Sequence, residues 1–177
     1  MKTTWTKRTW SMTAGIAAGV LVAAAAGATG AAANDSKPKR ADATFVIFEP
    51  FDEGSTTEVD VGTAGFGAGD NILEHHPVVD AETGDHLGTV VRDLRVVETY
   101  PDGDFLFVVY ATFKFGDGDI HEAGAARFSD VAEGRAVVAV TGGTGAYSRS
   151  AGTVTGRLGT REGHDGVFLT FDVTRPR

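Results

Sequence analysis

Few side chains in this 177-residue chain have a type and a setting suited to chemistry. Glu49 stands in an apolar stretch, after Phe45-Val-Ile-Phe48 and before Pro50-Phe51. Buried there, its carboxyl is an acid of raised pKa suited to proton transfer; at the strand end it is a rim residue. His76 either supplies a polar group to a cavity or lies on the surface of its strand. Its neighbour His75 falls on the opposite face of any strand, so the two make a poor metal pair. Asp93 and Arg95 share one face, as the partners of a structural ion pair do. Phe48, Tyr110 and Tyr147 are the candidate ligand contacts, although aromatic packing accounts equally well for the two tyrosines. Asp117-Gly-Asp119 lacks the twelve-residue spacing and terminal Glu of a calcium loop. The chain has no cysteine, which removes thiolate metal sites and a thiol nucleophile. No metal site and no cofactor are expected.

The glycine turn Gly142-Gly-Thr-Gly145, after the apolar run 137–140, invites a cofactor reading. A dinucleotide cradle needs a helix next, whose N-terminus meets the pyrophosphate. Here the turn leads into Gly- and Thr/Val-rich sequence, and only 32 residues follow Gly145, too few to complete a parallel sheet. No Gly-Lys-Ser/Thr follows either, so a phosphate loop is also out. The turn reads as a tight reversal that needs positive φ and close backbone approach.

These residues sit on strands. Short β-rich runs recur at 44–51, 58–63, 71–79, 87–100, 105–115, 120–128, 135–141, 151–160 and 167–174, separated by Gly, Asp, Asn and Pro clusters. The run 105–115 is the clearest. Phe105, Phe107, Val109, Ala111, Phe113 and Phe115 fall on one face by two-residue alternation. After residue 43 no helical periodicity is long enough to place a helix. The reading is an all-β fold, a meander of eight or nine antiparallel strands closed into a single β-barrel and preceded by a signal peptide. Closure into a barrel removes the open edges that invite aggregation.

The leader spans 1–33, with a basic start (Lys2, Lys7, Arg8), an apolar run over 14–30 and Ala31-Ala32-Ala33 as the cleavage site. Residues 34–43 read as a flexible tail, and 44–177 as the one domain. Loss of the leader removes three of 16 cations and leaves 13 against 24 acids, a net charge of −11. Such a surface argues against nucleic acid or an anionic membrane as partner. The expected location is outside the cell. Both Trp and both Met lie in the leader, so Phe, Val, Leu, Ile and Ala must build the core.

Taken together, the motifs resemble those of the allene oxide cyclase and dirigent proteins. Val140-Thr-Gly-Gly-Thr-Gly-Ala-Tyr147, followed by Gly152-Thr-Val154, is similar to the glycine turn of both groups. Gly69-Asp70, Asp80 and Gly88 match the cyclase spacing without a gap, and Phe113-Lys-Phe-Gly-Asp117 is similar to the family hairpin. The resemblance implies an eight-stranded barrel, commonly a homotrimer, around an apolar cavity that needs no cofactor. It implies a small apolar partner, which the cyclases close into a ring and the dirigent proteins orient for stereoselective coupling. The family's chemical residues mostly do not carry over. Its Glu-x-Asn pair falls on Ile47 and Glu49, its water-holding Asn on His76, its cysteine on Leu94, and its tyrosine on Ala125 or Ala126. The dirigent arginine falls on Ser148, beside Arg149. Three functions follow: a guide for cyclisation or coupling, a non-catalytic carrier of an apolar ligand, or a plain structural barrel.

Overall fold

A computed structural model describes residues 41–62 and 64–175, so the expected leader and most of the expected tail lie outside the described residues. Nine strands follow one another: β1 (Ala41–Pro50), β2 (Ser55–Val59), β3 (Asn71–Asp80), β4 (His86–Thr99), β5 (Phe105–Phe115), β6 (Gly118–Arg127), β7 (Ala136–Gly143), β8 (Ala151–Arg161) and β9 (His164–Arg175). Each pairs antiparallel with its neighbours in the order β1-β9-β8-β7-β6-β5-β4-β3. The ring closes where β1 meets β3, at Ile47–Asp80 and Phe48–Val79. The result is a closed eight-stranded barrel, as the family resemblance implied. The ninth strand, β2, is the addition: it lies on β3 alone, from Ser55–His75 to Val59–Asn71, and every one of its residues is exposed.

The two-residue alternation fixes what faces inward. On β5, Phe107, Val109, Ala111 and Phe113 are buried, while Tyr110 between them is 61% exposed. Phe171 of β9 stacks on Phe45 at 4.9 Å and meets Phe113 edge-on at 5.0 Å. Each such ring contributes roughly 1.5–3 kcal/mol by leaving water. A helix not foreseen from sequence, α1 (Phe128–Ala132), joins β6 to β7. At five residues it is too short to show a period. Phe128 stacks on Phe105 at 5.0 Å and extends the core at one end of the barrel.

The glycine turn is the β7–β8 reversal. Gly145 has φ +54, and a Cβ there would run into the Asp117 carbonyl. The backbone N–H groups of Thr144 and Ala146 donate to the carbonyls of Asp119 and Asp117, both at 2.9 Å. So the turn docks on the β5–β6 hairpin and delivers Tyr147, buried, beside Phe115 at 5.7 Å. Among the described residues no helix is long and apolar enough to cross a membrane.

Candidate functional site

Five titratable residues of the interior, Glu49, Glu74, His76, Arg92 and Glu122, form one constellation. Inward positions on β3 and β4 read Ile72-x-Glu74-x-His76-x-Val78 and Val90-x-Arg92-x-Leu94-x-Val96. Glu74 pairs across with Arg92, Arg92 with Ala111, and Ala111 with Glu122 of β6, so one row of the sheet carries three charges and a small residue. Ala111 leaves room between its long neighbours. Glu49 enters from β1, where the barrel closes.

Arg92 organises the group. Its Nη1 donates to Glu49 Oε1 at 2.8 Å and to Glu74 Oε2 at 2.9 Å, and its Nη2 donates to Glu49 Oε2 at 2.6 Å. His76 Nδ1 lies 2.9 Å from Glu49 Oε1, and its Nε2 lies 3.1 Å from Thr56 Oγ1 on β2. Gly54 fits against the imidazole: a Cβ there would stand 2.8 Å from His76 Cδ2. Glu122 is the outlier. Its Oε1 is 4.0 Å from Arg92 Nε, and its Oε2 is buried without a hydrogen-bond partner. Exposure falls from 12% at the Glu74 side chain to zero at Glu49, so Glu74 marks the side nearest solvent.

Electrostatics separates the two deepest acids. Burial pushes the Glu49 carboxyl up, but the Arg92 charge and the hydrogen bonds with His76 and Arg92 outweigh it and hold it below the usual carboxylate range. Burial likewise pushes Glu122 up, and there it wins: the guanidinium opposes it from too far, Glu49 adds repulsion, and the pKa reaches about 7. Burial lowers Arg92, but Glu49, Glu74 and Glu122 more than reverse this, so it stays charged. The expected raised acid is therefore found at Glu122; Glu49 is ionised and tied up.

Glu49, Glu74 and His76 offer ligand atoms within 4.8 Å of one another, a donor set for a cation. The Arg92 guanidinium already bridges two of them and supplies the positive charge. The set is fitted to Arg92.

The remaining candidates separate by face. Phe48 is buried on the outside of β1, against Phe168 at 4.8 Å, because adjacent strand residues point oppositely. It borders an outer cleft of about 310 Å³ with Pro77 and Arg161, not the interior. Tyr110 also faces out. It lies in an open groove of about 710 Å³ that crosses β2 to β7 with Leu73, Val91 and His121; Glu74, Arg92, Ala111 and Glu122 also border it. Glu49, His76 and Tyr147 face in. Arg95 Nε donates at 3.3 Å to Asn71 Oδ1, its cross-strand partner, rather than pairing with Asp93 two residues along the same strand. Arg92, Glu74 and Glu122 escaped the sequence reading. The available signal was a charge on the apolar face of an alternating strand.

The fold is thus a closed eight-stranded antiparallel barrel with a polar cluster inside. No family model matches the sequence, and no curated protein is significantly similar to it. Solved structures do share the fold. A structure described as pyocyanin demethylase is 18% identical with a TM-score of 0.62, covering 75% of this chain and all of that one. A pterocarpan synthase dirigent protein is 14% identical with a TM-score of 0.60, covering 80% and 99%. A Diels–Alderase from Streptomyces koyangensis is 16% identical with a TM-score of 0.55, covering 77% and 69%.

Proposed function

We propose that this barrel takes a small, largely apolar molecule into its interior and steers its cyclisation or stereoselective coupling. One observation carries the reading: Glu122, buried on the inner face, has an unpartnered Oε2 and a pKa of about 7. A carboxyl poised at neutral pH can donate its proton to a carbonyl of the substrate or accept one from it. Arg92, Glu49 and His76 hold the surrounding wall, and the apolar wall excludes water and restricts the substrate to a reactive geometry. Structural neighbours named as a cyclase of [4 + 2] cycloaddition, a Diels–Alderase and a pterocarpan synthase support this class of work. The leader composition supports export, and the exposed Leu73, Val91 and Tyr110 of the outer groove support assembly into a homotrimer.

Metabolite profiling of the producing host tests the reading. With Glu122→Gln in place of the native residue, a precursor of unchanged or coupling-related mass accumulates and the cyclised or coupled product falls. A wild-type chain that retains an unaltered ligand, with a profile indifferent to Glu122→Gln, is instead a carrier.

A further inference from the structure

The interior cluster is unbalanced. Arg92 is one cation facing three carboxylates, Glu49, Glu74 and Glu122, and two of these consume its Nη donors. Glu122 is 5% exposed, and its Oε2 meets no donor. A buried oxygen left this way costs about 1–3 kcal/mol until something donates to it. The charged groups that act on it are Arg92 from β4 and Glu49 from β1. Its cross-strand neighbours, Ala111 of β5 and Val140 of β7, carry no charge. Above neutral pH a carboxylate brought to this place meets the like charges of Glu49 and Glu122; a cation completes the count.

Building on the interior site proposed above, we propose that the barrel selects ligands presenting a cationic or readily protonated nitrogen to Glu122 and rejects those presenting a carboxylate there. The charge-assisted bond to Oε2 orients the ligand, and the Phe113–Phe171 wall takes its apolar part. This sets the ligand apart from the fatty acid that the cyclase resemblance implied.

Three planar probes of one size separate the possibilities: benzamidinium, neutral benzamide and benzoate, titrated calorimetrically into the wild-type chain and into Glu122→Gln at pH 8. The expected order is benzamidinium first, about tenfold or more over benzamide, with benzoate not bound. Glu122→Gln abolishes the benzamidinium preference. In the wild type alone, benzamidinium affinity falls between pH 8 and pH 6 as Glu122 takes up its proton, and benzamide affinity does not; this readout needs no variant to fold. Benzoate binding as well as benzamidinium overturns the charge selection. Benzamide sensitive to Glu122→Gln, with no preference for benzamidinium, overturns the charge selection and leaves the interior site standing. If no probe responds to Glu122→Gln or to this pH range, both the selection and the interior site fall.

Discussion

Two walls of the same barrel are built on the same alternation and held by different physics. On the β9–β1 side, Phe171, Phe45 and Leu169 fill inward positions, and on the β3–β4 side Glu74, His76 and Arg92 do. The apolar wall gains from each ring independently, by area removed from water. The charged wall gains nothing from any member alone, because each buried charge is tolerable only while its partners stay. Phe113 of β5 joins the walls: its ring meets Phe171 edge-on at 5.0 Å and lies 6.0 Å from the Arg92 guanidinium. One wall tolerates replacement by similar volume; the other tolerates no single deletion.

That contrast is open to attack, most strongly through Arg92. Arg92→Leu strands Glu49 and Glu74 without a counter-charge and should cost about 3–5 kcal/mol in a denaturant titration at pH 7. Part of the loss should return near pH 4, as the stranded acids protonate. A cost near zero would put water beside these acids and erase the difference between the walls. Phe171→Ala should cost about 3–4 kcal/mol through the cavity it leaves, equally at pH 4 and pH 7. A pH-dependent loss there would mean that the two walls are coupled.

The third test uses proton linkage. Glu122 has a pKa raised from its ordinary 4.5 to about 7, so the folded chain holds that proton where the unfolded chain has released it. Stability from this group is fully present below pH 4.5 and declines up to pH 7, by on the order of 3 kcal/mol in all. Glu49 runs the other way: its lowered pKa stabilises above pH 4.5 and is lost as acid titrates the folded carboxylate. Subtracting the stability curve of Glu122→Gln from that of the wild type isolates the first slope; a flat difference refutes it. Tyr110→Ala, on the outer groove, should change stability by less than about 0.5 kcal/mol in the monomer. A larger loss in dilute monomer would return Tyr110 to the core.

The apolar wall was legible in the sequence because strand alternation reports burial directly: Phe105 to Phe115 and Val167 to Val173 point where their parity says. Turn chemistry was equally readable at Gly145. The charged wall was not, for two reasons. Arg92 lies in Val90-Val91-Arg92-Asp93, where polar residues begin on both faces and mask the parity. Glu122 stands between His121 and Ala123 in a polar stretch whose inward side is visible only once Ile120 is placed in the core. Glu49 was found, but its ionisation was misjudged: it depends on an arginine 43 residues away in sequence. Phe48 and Tyr110 lie on the outer faces of their strands, opposite the inward-pointing residues beside them.

The first and last strands carry a consequence for the order of assembly. β1 makes ten register pairs with β9, from Ala41–Arg175 to Pro50–Gly166, and only two with β3. Its principal partner is thus the last of the nine described strands to be synthesised. Until then Ile47 has only its pairing with Asp80 and Phe45 its edge contact with Phe115, and the most sequence-distant contacts in the fold must form last. A chain stalled before residue 164 holds its first strand by two register pairs alone, so the barrel closes fully only once β9 has been made.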